Sequence, residues 1–271
     1  MFFPFHDDNP TSRTPVITLL LIAANVLVFV MTLRMSFVKR QVFNYQHGFI
    51  PARIEQLQKQ RVLKVPVRQP VRVRSPFGEQ IRLVERALPL RPSSKEVALS
   101  LLTCMFLHGG WIHLITNMWF LWLFGNNVED RLGPFLFSAL YLIGGLLASA
   151  CHWAFGPESL MPMIGASGAV AAVLGAYAIT WPWARVHTVV LLVVFITIID
   201  VPALLVLGAW FFGQVVSGQN ALQQGAVGGV AWWAHVGGFV AGVGLMPLLE
   251  MFIGAPKRWR RRHRNSSDDV L

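Results

Sequence analysis

Six windows of this chain contain no Asp, Glu, Lys or Arg: residues 14–33, 97–128, 132–157, 159–184, 186–199 and 201–249. An α-helix needs about 20 apolar residues to cross a hydrocarbon core of roughly 30 Å. The first four windows therefore predict one span each, the fifth is too short, and the last is long enough for two. Helix one is placed at Val16–Leu33, helix two from about 111 to 124 and beyond, and helix three at about 134–155. Helix four starts at Gly165 or Ser167 and stops before Pro182, helix five covers about 201–216, and helix six about 231–252. Between them, 125–133 and 156–164 read as turns and 218–229 as a flexible loop. Residues 186–199, rich in β-branched side chains, read as a re-entrant or interfacial segment, and the apolar stretch 97–107 as lying in the membrane interface. Within the long polar stretch, 62–91 mixes four prolines with alternations such as Val71-Arg72-Val73-Arg74, which predicts a small strand-rich excursion.

Composition agrees with this pattern. A length of 271 residues would suit two soluble domains, but 54% hydrophobic and 13% charged residues, with a mean hydropathy of +0.52, do not suit a water-facing surface. The predicted class is an all-α polytopic membrane protein. Residues 1–256 form a six-transmembrane-helix bundle with a long polar basic loop, 35–96, inserted between helices one and two, and 257–271 form a basic tail. A disulfide scaffold, a signal-bearing secreted domain and a soluble nucleic-acid binder are excluded. The net charge of +10 needs no nucleic acid to explain it: 14 basic residues lie between Arg34 and Glu96, and six more between Lys257 and Arg264. A polybasic tail beside a span predicts a cytoplasmic carboxyl terminus. Six spans put the amino terminus on the same side and loop 35–96 outside, with Arg34, Lys39 and Arg40 running against the charge rule. The expected location is a bacterial cytoplasmic membrane, in contact with lipid. Asp7 and Asp8 stand where a signal peptide would carry basic residues, so Val16–Leu33 is expected to be retained. Cys104 and Cys151 lack a CxxC spacing and are assigned to packing.

Strongly polar side chains inside hydrocarbon are costly, so each one kept there is a functional candidate. They are Asn25, His108, His113, Asn117, His152, Ser167, Asp200 and His235. Helices two, four and six share a direction, and His113, Ser167 and His235 each lie near the start of one of them, at a common depth. Asn117 follows His113 by four residues and shares its helix face. Ser167 lies in Gly165-Ala166-Ser167-Gly168 at the start of helix four, where free amides and the helix dipole favour a developing oxyanion. The same segment also reads as a small-residue packing face, continued by Ala171, Ala172 and Gly175. Gly238 and Gly242 form a matching GxxxG face on helix six, whose approach to helix four would bring His235 to Ser167.

Jointly these motifs resemble the rhomboid family of intramembrane serine proteases. The resemblance rests on His113-Leu-Ile-Thr-Asn117, Gly-x-Ser-Gly at 165–168, Ala234-His235-x-x-Gly238-x-x-x-Gly242 and Glu129-Asp130-Arg131-Leu132-Gly133. It implies Ser167 as nucleophile and His235 as general base, with an oxyanion hole made by His113, Asn117 and the Ser167 amide. Gly165, Gly168, Gly238, Gly242 and His108 have supporting roles. Where several family members carry an aromatic residue under the histidine, four positions after the serine, this chain has Ala171. The implied substrates are single-pass or other transmembrane proteins, cut near small residues, with no cofactor. A zinc site is the first rival and is disfavoured, because His-Glu-x-x-His is absent and His108 and His113 on one helix would point about 140° apart. No metal is expected. A haem carrier would need His113 facing His235, and a transporter would need inverted repeats, which are not seen.

Overall fold

The computed structural model describes residues 2–75, 78–192, 195–224 and 229–253. The basic tail at 257–271 lies outside them. The fold is mostly helical. Helix α1 spans Val16–Leu33, α2 Phe37–His47, α3 Ala52–Lys59 and α4 Ser94–Thr103, followed by a 3-10 turn at Cys104–Phe106. Helix α5 spans Trp111–Phe155, α6 Ser167–Thr180, α7 Ala203–Gln223 and α8 Trp232–Glu250. Strands β1 (Phe2–Asp7), β4 (Arg185–Leu192) and β5 (Phe195–Pro202) make one sheet, and β2 (Leu63–Ser75) and β3 (Gly78–Leu90) another.

Among the described residues, three helices, α1, α5 and α8, are long and apolar enough to cross a membrane. Leu20, Leu27, Ile112, Phe135, Phe212 and Leu248 are all exposed on the helices. A belt of this kind is soluble in lipid and not in water, and the chain is an integral membrane protein.

The 45 residues of α5 are two limbs, 111–132 and 134–155, broken at Gly133. Gly133 has φ +77°, which disfavours any side chain there, and Pro134 starts the second limb. Contacts give the directions. In the first limb His113 meets Gly165 and Phe124 meets Tyr177, so this limb runs parallel to α6. In the second, Gly144 meets Ala172 and Ala148 meets Gly168, so it runs antiparallel, and the chain reverses at Gly133. By the same reasoning α8 is parallel to α6, through Gly168 with Gly238 and Ala172 with Gly242. Helix α7 is antiparallel to α8, through Gly218 with Trp233 and Phe211 with Phe239. Helix α1 is antiparallel to the first limb, through Thr18 with Gly125 and Phe29 with Trp111.

The segment 125–133, expected to be a turn, is helical up to the break. Its charges explain why: each has a partner from another element. The Glu129 carboxylate is buried and accepts from the Ile17 and Thr18 amides at 2.8 and 2.7 Å and from the Thr18 hydroxyl at 2.8 Å, filling free donors at the start of α1. Asp130 accepts from Ser12 Oγ at 2.9 Å, and Arg131 Nε donates to Glu250 at 2.7 Å. This triad staples three chain segments at the end of the bundle away from Ser167.

In place of the re-entrant or interfacial segment expected at 186–199, strands β4 and β5 pair antiparallel with each other, and β1 pairs antiparallel with β4. The expected helix five at 201–216 starts at Ala203 and runs on to Gln223, into the segment expected to be a loop at 218–229. The strand-rich excursion is present as the β2–β3 hairpin, in register from Leu63 opposite Leu90 to Ser75 opposite Gly78. Its base shares a small core with α2 and α3, formed by Tyr45, Ile50, Val65, Val67 and Leu90. Beneath this core the buried Arg53 guanidinium is held by Glu96 at 2.8 Å and by the Arg91 carbonyl at 3.1 Å. This region packs at the Ser167 end, where Phe49 and Met163 exchange backbone hydrogen bonds of 3.1 and 2.7 Å.

Candidate active site

Helix α6 is apolar all round, and every residue from Gly168 to Ala178 is buried, as a central helix requires. At 14 residues it rises only about 21 Å, less than the hydrocarbon thickness. Its two ends therefore lie below the levels reached by longer neighbours. Ser167 is at one of them, on a cavity of about 880 Å³ whose wall includes His113, Asn117, Gln214 and His235.

Ser167 Oγ lies 2.8 Å from His235 Nε2. The other ring nitrogen, Nδ1, is 2.7 Å from Gln214 Oε1. An amide oxygen can only accept, so Nδ1 carries the proton and Nε2 offers its lone pair to the serine hydroxyl. The ring also lies near Trp210, at 5.9 Å between centroids, and edge-on to Trp232 at 6.1 Å. These contacts supply what Ala171, fully buried in the helix seam, does not.

His113 lines the same cavity as Ser167. The Gly109 amide donates to its Nδ1 at 3.4 Å, so Nε2 is the protonated nitrogen. A β-carbon added at Gly165 would lie 2.6 Å from His113 Nε2 and 3.6 Å from Ser167 Oγ, and Gly165 has φ +126°. Glycine is thus required at 165 twice over, by backbone angle and by the closeness of the His113 ring. Asn117 is buried and donates from Nδ2 to the His113 carbonyl at 2.7 Å, which leaves its second amide hydrogen available. The arrangement offers a hydroxyl with an oriented base on one side and N–H donors on the other, the parts of acyl transfer.

Small residues line the seam between α6 and α8. A β-carbon at Gly238 would fall 2.1 Å from the Gly168 carbonyl oxygen, and one at Gly242 would fall 1.9 Å from that of Ala172. Helices α6 and α8 touch backbone to backbone. His108 precedes α5 instead of sharing it, so the expected 140° divergence does not apply. Its ring packs edge-on against His113 at 5.0 Å, and among the described residues neither of its nitrogens has a hydrogen-bond partner. His152 lies on a second cavity, of about 470 Å³. Cys104 and Cys151 are free thiols. Asp200 is on β5, away from Ser167, bonded to His187. The residue that sequence reasoning missed is Gln214. It stands in an apolar helix with no motif around it, and only the packing of α7 on α8 reveals its target.

The rhomboid domain matches residues 95–251, more than half of the chain, and the chain belongs to the rhomboid family. It is 33% identical over 115 residues to presenilin-associated rhomboid-like protein A, mitochondrial, of Danio rerio, covering 42% of this chain and 30% of that protein. It is 31% identical over 159 residues to rhomboid-like protein 11, chloroplastic, of Arabidopsis thaliana, covering 56% and 53%. A third relative, RHOMBOID-like protein 2 of Arabidopsis thaliana, is 44% identical over 70 residues, 26% of this chain and 22% of the relative. The chain therefore spans about half or less of the length of these relatives. Two of them are named for mitochondria and chloroplasts, so the comparison lends no support to the expected bacterial cytoplasmic membrane.

Proposed function

We propose that this protein is an intramembrane serine endopeptidase that cuts transmembrane protein substrates with a Ser167–His235 dyad. The observation that carries the reading is the 2.8 Å contact from Ser167 Oγ to a His235 ring whose tautomer is set by Gln214. His235 Nε2 takes the serine proton as Oγ attacks a peptide carbonyl, and the same proton then goes to the leaving amine. The oxyanion forms beside the Ser167 amide, His113 Nε2 and the Asn117 amide, each donor worth about 3–4 kcal/mol to the transition state. The base then activates a water, reached through the cavity, to release the acyl group. A helical substrate has its carbonyls bonded internally, so it must unwind locally before it can be cut.

In this reading the chain crosses the bilayer six times, through α1, both limbs of α5, α6, α7 and α8, within a protease unit at 1–256. The alternating directions of these segments support it. Both termini and the tail 257–271 then share one face, and loop 35–96 stands over the active site on the other. Labelling with a fluorophosphonate tests the dyad. The wild type should label and Ser167→Ala and His235→Ala should not, whereas a labelled Ser167→Ala protein contradicts the assignment. Asn117→Ala should lower turnover by roughly tenfold to a thousandfold without abolishing it, because the other donors remain. An unchanged rate removes Asn117 from the oxyanion site.

A further inference from the structure

At the opposite end of the bundle, the β1-β4-β5 sheet carries a row of metal-binding side chains. His6 pairs with His187 and His187 with Asp200 in the strand register, so the three lie side by side across the sheet. A register shift between Pro4 and His6 re-aims the strand there, and the His6 and His187 rings stack 5.4 Å apart within 3° of parallel. Asp8 follows two residues after His6, held by its amide to the Arg185 carbonyl at 3.1 Å, and its Oδ1 lies 2.8 Å from His187 Nε2. A ligand atom from each of His6, Asp8 and His187 falls within 4.8 Å of the others. On the far side of the ring, Asp200 Oδ1 is 2.6 Å from His187 Nδ1.

We infer that His6, Asp8 and His187 form a binding site for a divalent transition metal of the zinc class, with Asp200 orienting His187. Two imidazoles, one carboxylate and a water complete a tetrahedral set suited to Zn2+. A carboxylate on the outer nitrogen is the usual device for turning the other one toward a metal. In such a set the nitrogen and oxygen ligands stand about 3.3 Å apart, given Zn–N and Zn–O bonds of roughly 2.1 and 2.0 Å. Entry of the ion therefore asks Asp8 to retreat by about half an ångström and His6 to close by at most about 1.5 Å, both within reach of exposed side chains. The ion would tie β1 to β4. Asp7 in β1 bonds Tyr177 near the carboxyl end of α6, as well as Asn127 in α5, so the tie would brace the base of the central helix. The absence of His-Glu-x-x-His and the spacing of His108 and His113 argue against zinc in the membrane, but His6 and Asp8 precede the first apolar window.

The test is calorimetric titration of the detergent-purified full chain with Zn2+ at pH 7.5. One ion should bind, His187→Ala and His6→Ala should lose it, and Asp200→Asn, which supplies no ligand atom and acts only through His187, should weaken it about tenfold to a hundredfold. Thermal denaturation without metal identifies any variant that fails to fold, in which case Asp200→Asn and Asp8→Asn decide. Absence of binding to the wild type, or equal affinity in Asp200→Asn and the histidine variants, overturns the site.

Discussion

Helix α8 meets α6 and α7 in opposite ways. Against α6 it packs backbone to backbone, with Gly238 and Gly242 set over carbonyl oxygens and Gly175 against Phe239. Against α7 it meets bulky rings, Trp210 and Phe211 with Phe239, while Gly208 and Gly213 of α7 have nothing within 4 Å of where a β-carbon would stand. Lipid supplies no hydrophobic force between helices, so close fit is what holds the first seam. The second is held by ring contacts and the Gln214–His235 hydrogen bond. The tight seam therefore sets the distance from His235 to Ser167, and the looser one sets only the orientation of the ring.

The largest effect is expected where the seam is closest. A leucine at 238 cannot be accommodated without separating the helices, and a displacement of about 1 Å costs roughly a hundredfold in rate. Gly238→Leu should lose at least that much cleavage activity and also melt earlier in detergent, with Gly238→Ala milder. Full activity in the leucine variant would mean that α8 does not reach α6 through this face. A smaller and cleaner loss is expected across the other seam. Gln214→Ala should reduce kcat by roughly tenfold to a hundredfold with little change in KM or melting temperature, since it removes the group that selects the ring tautomer and little packing. A variant that instead raises KM alone would place Gln214 in substrate binding. The smallest effect belongs to α7's open glycines: Gly208→Ala should leave cleavage within about twofold of wild type, with equal or greater stability, because helix propensity favours alanine by about 1 kcal/mol. A severe defect there would show that α7 is packed as tightly as α6.

Much of this was readable from residue order, and the failures have physical causes. The first helix was placed at the bounds it has, because its apolar run is closed at both ends by charge and proline. Shared helix direction predicts a common level for His113, Ser167 and His235, because alternate segments of a helical bundle run the same way. The 125–133 segment was misjudged because three adjacent charges normally mark solvent, whereas here Glu129 is buried against the free amides of α1. The β1-β4-β5 sheet was missed because β4 finds its partner about 180 residues earlier in the chain, and a short β-branched run resembles an interfacial segment until that partner is known. Gln214 was invisible for a related reason. A lone glutamine in an apolar helix shows its role only when the facing helix is in place.

The proteolytic reading is tested most directly by reconstituting the full chain in liposomes with a single-pass substrate carrying small residues and a helix-breaking glycine near one membrane face. The account predicts cleavage by the wild type that is lost in both Ser167→Ala and His235→Ala and is insensitive to chelator. Cleavage that persists in Ser167→Ala, or that a chelator abolishes, would contradict it.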